Sequence, residues 1–184
     1  VERVPVATVR IAGVKLIDLE PNPDARGALT EVCRHTWLAG REVPVQWDAV
    51  RSEAGVLRGL HWHNRRYDYL VPVLGRIVVG LVDLRAGSPT ESSAEVVEVM
   101  AERGAVVIPT GVGHGFWSPE PTIAMYAITE YWDPDDELGV RWDDPALGIP
   151  WPEEIVDPLL SERDAALPPL ADAPSRPVWD SAGG

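Results

Sequence analysis

The feature that most restricts this fold is the rhythm of the chain before residue 150. Short β-branched runs alternate with turn residues, and no sustained 3.6-residue stripe interrupts them. VATVRI, VKLID, ALTEVC, YLVPVL, RIVVGLVDL, AEVVEV, AVVIP and TIAMYAITEYW read as strands. PNPDARG, RAGSPTESS, AERG and SPEP between them read as turns and loops. This spacing predicts an all-β antiparallel sandwich or barrel. After Trp151 the chain turns proline-rich, which predicts one short helical turn near Ser161–Ala166 and a loosely ordered final ten or so residues. No solenoid period is present. Residues 1–184 are therefore expected to form a single domain, with N-terminal strands within 1–20 and an extension over 152–184.

Composition narrows the function classes. The formal net charge of -13 disfavours a nucleic-acid partner, which needs a basic face. A small anionic ligand needs only a local arginine cluster, and every basic residue except Lys15 is arginine. No apolar run is long enough to span a bilayer, and VERVPVATVR has no signal-like apolar core. The single cysteine, Cys33, excludes an internal disulfide, suits a reducing cytoplasm and reads as a small buried hydrophobe.

The chemistry concentrates around histidine. Two of only four histidines stand in RGLHWHNRRYDYLVPVLG, residues 58–75. Residues two apart on a strand share a face, so His61 and His63 can look into one barrel, with Asp68 on the next strand and His114 on another. Gly55, His61, His63, Asp68 and Gly75 are spaced much like the first motif of the cupin superfamily, with Asp in place of the usual Glu. GAVVIPTGVGHGFWS, with Pro109, Gly111 and His114, resembles the second motif. That resemblance implies a jelly-roll barrel. His61, His63, Asp68 and His114 would also make a first shell for one divalent metal ion.

A closer resemblance covers residues 17–168. DARG followed by Glu31, GVLRGLH, VDLRAGSPT, IPTGVGHGF, YAITEYWDP, RWDDPALGIPWP and LSERDAA together resemble the dTDP-4-dehydrorhamnose 3,5-epimerase family. The resemblance implies an isomerase without cofactor that inverts C3, C5 or both of a nucleotide-activated 4-keto-6-deoxyhexose through an enolate. It implies that His61 is the base, oriented by Asp164, and that Tyr126 is the acid. His114 would touch the sugar, and Arg26 and Arg58 would lie near the diphosphate. It further implies a homodimer in which the VATVRIAGVKLIDL stretch pairs with the partner's sheet.

Departures from the family pattern cluster at the substrate. Asp68 stands where the family usually carries a lysine, and an anion beside a developing enolate requires a compensating cation. His63 beside Asp68 is one candidate, and a divalent ion is another. A metal-bound His61, however, could not act as a free base. R26-GALTE-31 lacks the usual phenylalanines, Gln46-Trp47-Asp48 replaces the usual Q-x-N, and Trp132 replaces a tyrosine while keeping a ring that can stack on a base. Gln46, Glu31, Trp132, His63 and Asp68 thus join the expected substrate-binding set. Three other readings share these residues: a sugar-nucleotide 3,4-ketoisomerase, a metal-dependent cupin enzyme, and a silent sugar-nucleotide-binding protein.

Overall fold

The computed structural model describes residues 9–38, 43–174 and 176–179. Within them the strands run in chain order as β1 (Lys15–Asp18), β2 (Pro21–Asp24), β3 (Gly27–Thr30), β4 (Gln46–Ser52), β5 (Leu57–Trp62) and β6 (Asp68–Leu74). There follow β7 (Arg76–Asp83), β8 (Ala94–Met100), β9 (Gly104–Ile108), β10 (Val112–Trp117), β11 (Thr122–Ile128) and β12 (Leu138–Gly139). One five-stranded sheet has the order β1-β9-β6-β11-β4, the other β12-β5-β10-β7-β8, and β2-β3 is a separate hairpin. All strand pairs are antiparallel. This is the expected all-β jelly-roll. A single α-helical turn, α1 (Glu162–Ala165), is capped by the Ser161 hydroxyl and lies in the extension, as predicted.

Strand alternation builds the core. Ile77, Val79 and Leu81 of β7, Val97 and Val99 of β8, Val106 and Ile108 of β9, and Leu70 of β6 meet in one buried cluster. These residues come from both sheets, so the cluster is the filling between them. Each fully buried Val, Leu or Ile contributes about 1.5–3 kcal/mol relative to an exposed one. The opposite faces are also covered. Tyr69, Val71, Val107 and Ala127 pack with Leu19 and Leu38 outside the first sheet. Leu60, Trp62, Val82 and Leu84 pack with Val140, Leu147 and the extension's Leu170 and Ala173 outside the second. Burial on both faces is why runs such as YLVPVL and RIVVGLVDL lack a clean polar alternation.

Several expectations change. QWDAVRS forms strand β4, although its polar residues hide the pattern, and the strand expected to carry both His61 and His63 is β5, which ends at Trp62. PNPD, expected as a turn, is strand β2. ALTEVC keeps a strand only to Thr30. VATVRI falls partly outside the described residues, and its visible end is not a strand. Lys15–Asp18 pairs with β9 of its own chain as the edge strand of that sheet, and Ile11 and Val14 bury in its own core. The described part of the tail is not loose. Pro177 and Trp179 hydrogen-bond to Ala86 through the backbone, and the Trp179 ring lies 4.4 Å from the Arg85 guanidinium. Cys33 is a free, partly buried thiol against the outer cluster, and burial pushes its pKa up.

Glycines let β5 and β10 approach closely. A Cβ on Gly115 would stand 2.6 Å from the Arg58 carbonyl oxygen, and one on Gly59 would stand 2.7 Å from the Gly115 Cα. Gly59 also has φ +116°, where a side chain is strained. Gly115→Ala is expected to destabilise the protein by about 1–3 kcal/mol, since backbone rather than a flexible side chain must move. Urea unfolding checks this; a change below about 0.5 kcal/mol would show that the strands separate freely.

Candidate active site

The alternation that fills the core also places the chemistry. Asp68 has the parity of Leu70, Tyr126 that of Ala124, and His114 that of Val112 and Phe116, all core residues. His61 alternates with Leu60 and Trp62, which belong to the outer cluster, so it too faces inward. His114 is the direct register partner of His61. His61 and His114 thus come from one sheet, and Asp68 and Tyr126 from the sheet facing it.

His61 Nε2 lies 2.7 Å from Asp164 Oδ1, a distance typical of a charge-assisted bond. Asp164 is buried in the first turn of α1, where its backbone N–H donates to the Ser161 hydroxyl. Burial is the largest single effect on Asp164 and raises its pKa, but the interactions with His61, the Gly59 N–H and Ser161 together outweigh it and the net shift is downward. Asp164 therefore stays an anion and fixes the His61 ring with Nε2–H toward itself. The other ring nitrogen, Nδ1, faces Glu137 Oε1 at 3.4 Å.

Beside this dyad is a second buried network. His63 Nδ1–H donates to the Asp136 carbonyl at 2.9 Å, and His114 Nδ1–H donates to the Val112 carbonyl at 3.0 Å. Both rings consequently turn Nε2 toward Asp68 Oδ2, at 3.4 and 3.1 Å. Arg66 lies among them. Its Nε donates to Asp68 at 3.1 Å, and its Nη2 reaches His63 Nε2 and Glu137 Oε2, each at 3.0 Å. Asp136 closes the turn after β5 by accepting from the Asn64 and Arg65 backbone N–H groups.

Burial acts on all of these groups but does not decide their charge. It raises the Asp68 carboxyl, yet bonds from His114 and His63 hold it well below the usual range. Burial likewise raises Glu137, while the charges of His63 and Arg66 and the hydrogen bond from Arg66 bring it down. His63 is pushed down by burial and up by Asp68, and ends raised. The signs fix a stability profile. Carboxylates with depressed folded values stabilise the protein above their unfolded pKa of about 4, and that contribution is lost as pH falls through the depressed values. A raised His63 contributes below its unfolded value of about 6.5, and this is lost as pH rises through its folded value. Urea midpoints should therefore hold between about pH 4 and 6.5 and fall on both sides. A midpoint unchanged well below about pH 3 would contradict the carboxylate assignment.

The other expected residues separate into two groups. Tyr126 packs its ring 6.3 Å from Phe116, and burial raises its hydroxyl pKa, so it stays protonated. Arg58 donates to the Ser52 hydroxyl at 3.1 Å and to the Arg51 carbonyl at 3.0 Å. Gln46 and Trp132 meet elsewhere: the Gln46 amide oxygen accepts from the Trp132 backbone at 2.9 Å, beside an open groove of 570 Å³ lined by Val45, Arg65, Tyr131 and Trp132. Arg26 and Glu31 do not join the pocket's hydrogen-bond network. Arg26 is 90% exposed and bonded to Asp24, and Glu31 pairs with Arg34.

The four-residue metal shell is not assembled. His63, Asp68 and His114 offer atoms within 4.8 Å of one another, but His61 is committed to Asp164 and lies outside that group. The three remaining donors share their space with the Arg66 guanidinium, a permanent cation, and so do not fit a divalent ion as they stand. Arg66, Glu137 and Asp136 were absent from the expected set. Arg66 and Glu137 are 71 residues apart, so no local spacing joins them. The available hint was Arg66 two positions before Asp68 at the start of a strand.

Comparison with known proteins agrees with this geometry. The sequence pattern of the dTDP-4-dehydrorhamnose 3,5-epimerase family matches residues 8–172. The dTDP-4-dehydrorhamnose 3,5-epimerase of Methanothermobacter thermautotrophicus is 38% identical over 170 residues, covering 88% of this chain and 92% of the relative. Among solved structures, a dTDP-6-deoxy-D-glucose-3,5-epimerase from Legionella pneumophila in complex with dTDP-4-keto-L-rhamnose superposes with a TM-score of 0.84 at 29% identity, covering 96% and 99% of the two chains. A 3'-monoepimerase from Streptomyces bikiniensis in complex with dTDP-quinovose gives 0.80 at 31% identity, covering 89% and 86%. With inward-facing histidines on a jelly-roll and a match over nearly its whole length, the chain belongs to the dTDP-4-dehydrorhamnose 3,5-epimerase family.

Proposed function

We propose that the protein epimerises a nucleotide-activated 4-keto-6-deoxyhexose at C3, C5 or both, using only its own side chains. The observation that carries this reading is the His61–Asp164 hydrogen bond, with His61 on one sheet and Tyr126 on the sheet facing it. A sugar held between the sheets would have an imidazole on one face and a phenol on the other, which is what inversion requires. The 4-keto group acidifies the neighbouring C–H bonds. With Nε2–H donated to Asp164, His61 Nδ1 carries the lone pair that takes the proton, and the C–H bond electrons pass into the enolate. Tyr126 then returns a proton from the other side. The substrate displaces Glu137 Oε1 from Nδ1, while Arg66 and Arg163 hold that carboxylate nearby.

His114 lies beside the sugar, Arg58 serves the diphosphate, and Trp132 at the open groove offers a ring for the nucleobase. Thymidine is the nucleoside we assign, on the ligands named for the related structures. Such a substrate belongs to the cytoplasm; among the described residues no helix is long and apolar enough to cross a membrane. We further propose a homodimer, supported by exposed apolar side chains: Leu29 is 67%, Val43 59%, Tyr131 74% and Trp132 52% exposed. Light scattering at micromolar concentration tests this, and a monomer refutes it.

The decisive experiment is incubation with dTDP-4-keto-6-deoxyglucose in deuterium oxide. Deuterium appearing at C3 or C5 with inversion is the expected result. Binding without exchange would identify a silent binding protein, and migration of the keto group would identify a ketoisomerase.

A further inference from the structure

Asp68 poses a problem for any enolate chemistry, since a buried anion opposes the charge that develops on the sugar oxygen. The network around it contains both a ready-made metal site and the reason that site is closed. Two imidazoles, each oriented by a carbonyl acceptor on Nδ1, aim Nε2 at one carboxylate. That is the usual arrangement for metal ligands with outer-shell support. Arg66 is seated against the same atoms, 3.0 Å from His63 Nε2 and 3.1 Å from Asp68 Oδ1. It is 6% exposed, and its third nitrogen, Nη1, is buried with no hydrogen-bond partner among the described residues. Burying a guanidinium with a donor unspent is unfavourable, and so calls for a reason. Its neighbours supply one: Asp68 and Glu137 both need a cation, and Glu137 faces the base.

We propose that Arg66 is the fixed cation of this pocket, closing the His63–Asp68–His114 group to divalent metals and offsetting Asp68 and Glu137 so that negative charge can develop on the substrate. It acts as a positioning residue, through the carboxylates that it holds. The catalytic half of this inference rests on the epimerase reading, and the metal half does not.

The test uses full-length, untagged protein and Co²⁺ as the probe, with Arg66→Met and Arg66→Lys variants checked for folding by thermal denaturation. Methionine keeps the apolar bulk and removes the charge. The wild type should show no ligand-field absorption on Co²⁺ titration, whereas Arg66→Met should bind one Co²⁺ per chain and lose it when His114→Ala is added. In the deuterium-exchange assay, Arg66→Met should lower kcat by about 10²-fold or more with KM changed far less, and Arg66→Lys should recover most of the loss. Stoichiometric Co²⁺ binding by the wild type would overturn the proposal. So would a folded Arg66→Met protein that binds no Co²⁺ or keeps the wild-type kcat. If Arg66→Met does not fold, Arg66→Lys decides: it keeps a charge, so Co²⁺ binding by that variant would also overturn the idea. Absence of exchange by the wild type would instead strike the epimerase reading, leaving the metal titration to be judged alone.

Discussion

Replacing His61 with asparagine is expected to lower solvent exchange at the sugar carbon by about 10²–10⁴-fold, the range associated with a positioned general base. The choice of asparagine matters. Its amide can still donate to Asp164, so a buried carboxylate is not stranded, and the loss reads as chemistry rather than unfolding. Nucleotide binding should survive, because the Trp132 groove and Arg58 do not depend on the imidazole. Exchange remaining within about threefold of wild type, in protein with an unchanged melting temperature, would remove His61 from the mechanism. Asp164→Asn should give a smaller loss of the same kind, since the ring remains but its tautomer is no longer dictated.

Tyr126→Phe tests the other face, and its signature is qualitative. The imidazole on the second sheet can still remove a proton and return a solvent deuteron from the same side. Exchange should therefore continue within about tenfold of wild type, while inversion falls by about 10²–10³-fold. Phenylalanine keeps the ring against Phe116, so the core is not opened. The raised hydroxyl pKa adds a further expectation: inversion should not decline as pH rises through the ordinary tyrosine range of about 10, because burial keeps the proton in place. NMR of the sugar in deuterium oxide separates exchange from inversion directly. Equal loss of both would mean that Tyr126 supports the fold or the enolate and does not deliver the proton. Undiminished inversion would assign that role elsewhere.

These two residues could be found in the chain because their signals are local or patterned. His61 stands in an H-x-H pair after a glycine-rich turn, and Tyr126 in an alternating run with Ala124, both read against the resemblance carried by GVLRGLH and YAITEYWDP. Arg26 and Glu31 also match the family pattern; among the described residues they pair with Asp24 and Arg34, on or beside the β2–β3 hairpin. Pattern matching identifies a residue's type and order, and cannot say which surface its backbone reaches. Strand β4 is hidden for a related reason. Its polar residues Gln46, Asp48, Arg51 and Ser52 break the alternation that reveals a strand.

What the sequence determined by itself was the all-β class, the short helical turn near Ser161–Ala166, and the gathering of His61, His63, Asp68 and His114 toward one interior. Each follows from a period of two residues or from a contact a few residues long, and such information is written consecutively along the chain. Only the tertiary structure decided the charge of the pocket. Arg66 and Glu137, 71 positions apart, meet across 3.0 Å beside Asp68 because the loop before β12 folds back over the end of β5. A buried carboxylate is tolerable only beside a counter-charge, and the electrostatic energy that selects that partner depends on separation in space rather than in sequence.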